Sequence, residues 1–249
     1  MLPHTMSKLF ALIPAAGSGS RMGTDLPKQY LPLAGKPLLY HALGALCGNR
    51  SIERVFVVLA QGDKRFAQYD WQPFTARFEP LYCGGETRAA SVFNGLLAVR
   101  DEVDADDWVL VHDAVRPCLA PDCLDRLIVA LRGEKTGGLL ALPVVDTLKR
   151  ADAAACVVRT EARENLWQAQ TPQMFRYRVL LDALRNTDPA AVTDEAGAIE
   201  ALGFRPKLVL GDSRNLKVTF PQDLALAELI LRSLQPSAVS DQPGPGKTR

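Results

Sequence analysis

Arg21 and Lys28 are the first cations after a stretch of Ala, Gly and Ser, which itself follows an apolar run, Phe10 to Ile13, ended by Pro14. This layout suits an anion. Gly17, Gly19 and Gly23 permit positive φ and close backbone approach, so successive N–H groups can converge on phosphate oxygens while the two cations close over them. A nucleoside triphosphate is the expected ligand. The dinucleotide fingerprint fits poorly, because the third glycine comes one residue late and Pro27 follows soon after. A P-loop fits no better: Gly35-Lys36 runs into Pro37, and Gly246-Lys247-Thr248 lacks the upstream glycine. A plain Gly/Ser turn is the alternative. Arg21, Lys28 and a second strand-end motif weigh against it.

That second motif is WVLVHDAVRP, an apolar strand ending in His112, Asp113 and Arg116. In an open α/β sheet the ligand lies beyond the carboxyl ends of the strands, where a carboxylate can hold Mg²⁺ against phosphate oxygens. Asp113 is therefore the metal-ligand candidate, although it could equally cap the next turn or pair with Arg116. His112 is expected to be structural, since no second His stands at metal-site spacing. Between the two motifs lies CGGETRAASVFNGL. Its Gly84 and Gly85 lead into a helix with Glu86, Arg88 and Ser91 in the first turns, and Ser91 could hydrogen-bond a base edge. Glu86 also fits an ordinary acidic helix N-terminus.

These residues need a scaffold that brings strand ends together. Val55 to Leu59, Trp108 to Val111 and Leu139 to Val145 have strand character; Lys36 to Leu46, Thr87 to Val99 and Pro121 to Leu131 have helical patterns, the last with Pro121 in its first turn. The alternation predicts an α/β fold with a mainly parallel sheet covered on both faces. The chain's 249 residues suit one domain, and 29 basic against 28 acidic residues leave no basic field for nucleic acid or an anionic membrane. A small-molecule partner is expected. No apolar run could span a bilayer and no signal sequence opens the chain, so a cytoplasmic location is expected. Cys47, Cys83, Cys118, Cys123 and Cys156 are odd in number and lack C-x-x-C spacing, which points to buried thiols. From Gln235 onward, Pro, Gly and Ser replace large apolar residues, predicting a disordered tail at 236–249 after a domain at 1–235.

AAGSGSRMG with PKQY, GGETRAASV, VHDAVRP, TLKR, LWQAQTPQMF, TDEAGAIEALG and NLKVTFPQDLALAE stand here in the order that they have in the 2-C-methyl-D-erythritol 4-phosphate cytidylyltransferases. The chain resembles that family over roughly residues 8 to 232. The resemblance implies a Rossmann-like nucleotidyltransferase fold with a twisted, mainly parallel sheet, a protruding β-arm at about 146–163 and a homodimer joined through that arm. It implies CTP as cosubstrate, Mg²⁺ as metal and a sugar-alcohol phosphate as acceptor. Arg21, Lys28 and Lys217 match the cations that stabilise the transition state. Ala15, Ala16 and Gly17 match the nucleotide loop, while Gly85 and Ser91 match the positions that select cytosine. Asp113 matches the carboxylate beside Mg²⁺ and ribose-phosphate, and Thr147 and Arg163 the arm residues that bind methylerythritol phosphate. Glu86 departs from the Asp or Asn of some relatives. The nearest enzyme rival is a ribitol-5-phosphate cytidylyltransferase, and the rival of another class is a non-catalytic nucleotide-sensing module.

Overall fold

Four short apolar runs form the centre of the molecule. In the computed structural model, which describes residues 7–17 and 26–234, β1 (Leu9–Pro14) is followed along the chain by a small hairpin, β2 (Pro32–Leu33) and β3 (Lys36–Pro37), and then by α1 (Leu38–Cys47). Next come β4 (Val55–Val58), β5 (Phe78–Leu81), α2 (Arg88–Ala98), β6 (Trp108–Val111), α3 (Pro121–Leu131) and β7 (Gly137–Pro143). The chain continues through β8 (Leu148–Ala151), β9 (Val157–Glu161), β10 (Trp167–Arg176), α4 (Tyr177–Arg185), α5 (Glu195–Ala201), β11 (Lys207–Leu210) and α6 (Pro221–Leu234).

The seven-stranded sheet has the order β11-β7-β10-β6-β1-β4-β5. Every strand pair is parallel except the two made by β10, which runs antiparallel to β6 and β7. The central strands β4 and β6 are buried at every residue, which is why they read as unbroken apolar runs rather than alternating ones. On one face α1 and α3 contribute Leu43, Leu46, Leu124 and Leu127 to a core. On the other, α2, α4 and α5 contribute Val92, Leu96, Leu180 and Ile199. A third cluster under α6 joins Leu31, Leu38, Cys118 and Val218.

Local chemistry explains most element starts. Thr87 caps α2 by accepting from Ala90 N at 3.0 Å, and Asp194 caps α5 by accepting from Gly197 N at 2.9 Å. The helix expected from Lys36 begins two residues later, because Lys36 and Pro37 pair with Pro32 and Leu33 in the hairpin. Glu86 precedes the Thr87 cap rather than sitting in the first turn. The β10–β7 register shifts between Ala169 and Gln173; Pro172, with no N–H to donate, falls there.

β8 and β9 form a separate antiparallel ribbon with Leu148 opposite Glu161 and Lys149 opposite Thr160. Nearly every ribbon residue is exposed. Cys118 and Cys123 are buried as expected, whereas Cys156 is exposed at the ribbon turn, which has no core beneath it. No helix among the described residues is long and apolar enough to cross a membrane. Residues from 235 onward, expected to be disordered, lie outside the described residues, as does Arg21.

Candidate active site

At the carboxyl end of β1, Ala15 N donates to Val58 O at 2.8 Å, holding the start of the nucleotide loop against β4. Gln29 Nε2 donates to Ala15 O at 2.7 Å, so the Lys28–Tyr30 turn is tied to the same loop. Lys28 Nζ in turn reaches Thr219 O at 2.8 Å, just past Lys217. A cavity of about 440 Å³ opens here, and its walls include Ala15, Ala16 and Gly17. Lys28, Gly85, Ser91, Asp113 and Lys217 of the expected residues also line it. Eight residues predicted from distant parts of the chain thus share one cavity.

Of the loop glycines only Gly17 is among the described residues; Gly19 and Gly23 lie outside them. Gly17 does not adopt positive φ, and a Cβ built on it would meet nothing within 4 Å, so its side toward the cavity is open space. Gly84 is required by packing: a Cβ would lie 2.3 Å from Ala16 Cβ and 2.8 Å from Leu59 O. The two loops that form the cavity walls therefore touch at a point where only glycine fits. Ser91 Oγ accepts from Gly85 N at 3.1 Å and donates to Thr87 O at 2.9 Å. Its first structural task is to shape the Gly85 loop.

Asp113 is buried at the end of β6 and is surrounded by cations. Arg88 Nε donates to Oδ1 at 2.8 Å, Lys217 Nζ lies 2.9 Å from Oδ2, and Arg116 Nε stands 3.7 Å from Oδ2. Burial opposes ionisation, but Arg88, then Lys217 and Arg116, outweigh it and hold the carboxyl well below the usual range. The pairing with Arg116 that the sequence suggested is present, yet Arg88 and Lys217 are closer. Arg88 itself is clasped by Glu195, Nη1 to Oε1 at 2.6 Å and Nη2 to Oε2 at 3.0 Å.

His112 is structural, as expected. Its Nε2 lies 3.0 Å from Arg116 O, which can only accept, so Nε2 carries the proton and Nδ1 accepts from Thr171 Oγ1 at 3.1 Å. Thr171 Oγ1 also accepts from Asp113 N at 3.0 Å. Complete burial lowers the His112 pKa to about 4, so the ring is neutral and locks the turn that presents Asp113 and Arg116.

Among the described residues no three His, Cys, Asp or Glu side chains gather as a metal cage. Asp113 offers a single carboxylate with spare lone pairs, which suits an ion whose other ligands are phosphate oxygens and waters. Thr147 and Arg163 do not line the cavity. Both are exposed on or beside the ribbon, and Arg163 Nη1 donates to Val145 O. Sequence reasoning placed Arg88 near the site without a role and passed over Glu195; the signal available was the TDEAG segment.

An open α/β sheet whose strand ends surround a cavity lined by the Asp113 carboxylate and several cations is the arrangement of a nucleotidyltransferase. A family model described as IspD, 2-C-methyl-D-erythritol 4-phosphate cytidylyltransferase, matches residues 9–233, and the chain belongs to that family. A Nitrosospira multiformis protein named 2-C-methyl-D-erythritol 4-phosphate cytidylyltransferase is 60% identical over 230 residues, 92% of this chain and 99% of that one. A crystal structure of a 4-diphosphocytidyl-2C-methyl-D-erythritol synthase matches with a TM-score of 0.79 and 40% identity, covering 90% of this chain and 99% of that one. The Francisella tularensis 2-C-methyl-D-erythritol 4-phosphate cytidylyltransferase structure matches with a TM-score of 0.77 and 36% identity, covering 90% of this chain and all of that one, 100%.

Proposed function

We propose that this chain transfers the CMP moiety of CTP to 2-C-methyl-D-erythritol 4-phosphate, releasing pyrophosphate and forming 4-diphosphocytidyl-2-C-methyl-D-erythritol, a precursor of isoprenoids. The observation that carries this reading is the cavity in which Lys217 and Arg88 converge on Asp113 beside a glycine-bounded loop, with Lys28 also lining it. An acceptor phosphate oxygen attacks the α-phosphorus of CTP; the new P–O bond forms as the bond to the β-phosphate oxygen breaks, and pyrophosphate leaves with that electron pair. Both reactants are anions, so the chemistry needs charge stabilisation rather than a protein nucleophile. Lys28 and Lys217, with Arg21, supply it, and each well-placed donor is worth roughly 3–4 kcal/mol in such sites.

Asp113 would hold Mg²⁺, whose charge offsets that of the phosphates when it is bound. Ala15, Ala16 and Gly17 line the nucleotide, and the Gly85 loop, shaped by Ser91, faces the base. Residues 1–235 act as one domain, in the cytoplasm, and the exposed ribbon argues for a homodimer. Val145, Val157 and Val158 are 75%, 63% and 60% exposed, apolar surface that a second copy would cover. In that dimer Thr147 and Arg163 bind the acceptor phosphate held mainly by the other chain.

Pyrophosphate release measured with CTP, Mg²⁺ and each acceptor tests the reading. Turnover with methylerythritol phosphate and little with ribitol 5-phosphate is expected. Preference for ribitol 5-phosphate would reassign the acceptor, and CTP binding without turnover on either acceptor would favour the sensing module.

A further inference from the structure

Glu195 stands outside the cavity, 1% exposed at the start of α5. Three hydrogen bonds fix it there. Asp194 Oδ1 accepts from Gly197 N at 2.9 Å and its Oδ2 accepts from Gln173 Nε2 at 2.9 Å, while Gln173 Oε1 accepts from Ala196 N at 2.8 Å. The first turn of α5 is thereby bolted to β10, and the Glu195 carboxylate is aimed at the two terminal nitrogens of Arg88. Arg88 then has its Nε edge to give to Asp113 Oδ1 at 2.8 Å, which leaves Oδ2 to Lys217 Nζ at 2.9 Å. The result is one continuous line of alternating charge, Glu195, Arg88, Asp113, Lys217, running from the far helix to the cavity wall.

We propose that Glu195 is a positioning residue of the transfer reaction: by occupying the fork of Arg88 it restricts Asp113 to the Nε edge, and so keeps the Lys217 ammonium at the cavity. This rests on the reading of the site as a CTP-dependent transferase. The physical reason is that a guanidinium cannot shed its proton and seeks two parallel acceptors. Deprived of Glu195, the fork of Arg88 has Asp113 as its nearest carboxylate. Taking both Asp113 oxygens displaces Lys217. A merely structural ion pair between α2 and α5 would instead affect melting without a specific link to Lys217.

The test compares wild type, Glu195→Gln, Lys217→Ala and the double variant by melting and by steady-state kinetics with CTP, Mg²⁺ and methylerythritol phosphate. The expected result is a folded Glu195→Gln enzyme whose kcat falls about 10–100-fold, as for partners that orient a reacting group, while KM for CTP changes less than about threefold. In the Lys217→Ala background the same substitution should cost no more than about twofold, because its effect has already been removed. A folded Glu195→Gln enzyme with wild-type kcat overturns the proposal, and so does a loss that multiplies in full with that of Lys217→Ala. If Glu195→Gln shows no melting transition, Glu195→Asp, which keeps the charge and shortens the reach, is judged by the same two criteria. Failure of the wild type to release pyrophosphate would sink the functional reading instead.

Discussion

Asp113 and Arg163 both carry charge toward the same proposed reaction, but their surroundings are opposite. Asp113 is 5% exposed and gathers partners from α2 and from the segment before α6, so its ion pairs join residues 25 and 104 positions away along the chain. Arg163 is exposed and bonds the carbonyl of Val145, in the segment that leads into the ribbon. A buried charge has to be satisfied inside the chain that buries it, since an uncompensated one costs several kcal/mol. The Asp113 carboxylate has its compensating cations, Arg88, Lys217 and Arg116, within one chain. A two-stranded ribbon has no such closure and is marginal alone, so its residues acquire a fixed place only against something else.

The strongest way to break this contrast is Asp113→Asn. It leaves Arg88 and Arg116 partly buried with less compensation, so an expected stability loss of about 3–5 kcal/mol accompanies a fall in kcat of roughly 10²–10³-fold. Lys217→Ala should give a comparable kcat loss with almost no change in stability, because its side chain is 48% exposed and exposed pairs contribute little. Urea unfolding beside steady-state kinetics separates the two. Equal stability losses would show that the exposure of Lys217 does not set its pair apart from the buried ones.

Titration sharpens the contrast next. His112 faces Asp113, Arg116 and Arg88, and its pKa in the folded chain is lowered to about 4 from 6.5. Between those values the unfolded chain binds a proton that the folded chain refuses, so stability falls as pH drops from 6.5 to about 4, by about 3 kcal/mol for this group. Asp113, lowered from 3.8, adds a further loss only below that pH. His112→Gln should flatten the 6.5-to-4 limb, as measured by unfolding at several pH values; an unchanged slope would mean that His112 is not held neutral.

The smallest expected effect is on the ribbon. Val158→Asp should change the unfolding free energy of one chain by no more than about 0.5 kcal/mol, yet convert the proposed dimer to monomer in sedimentation. A large stability loss within the monomer would show that the ribbon packs on its own chain.

What the sequence made legible follows the same division. β4 and β6 are readable because strands buried on both faces are unbroken apolar runs, and α2 and α3 because of their helical patterns, with Pro121 in the first turn of α3. β5, with Pro80 inside it, and β10, which carries Gln168, Gln170 and Pro172, carry no such signal; their pairing is imposed by neighbours. Asp113 stood out at the end of an apolar strand. Glu195 did not, because an acidic residue opening a helix has an ordinary explanation, and its partner Arg88 lies 107 positions earlier. Gly84 was legible as glycine but not for its reason, which is contact with Ala16.

We propose that the nucleotide-binding cavity of one chain and the ribbon of its partner meet across two chains to form each site. Mixing Lys217→Ala chains with Arg163→Ala chains tests it most directly. Each variant alone should be nearly inactive. After subunit exchange, half of the dimers are mixed, and each mixed dimer has one site with both residues intact, so about a quarter of wild-type activity should return. If exchange is demonstrated by mass-tagged subunits and no activity returns, each site is built within a single chain and the claim is wrong.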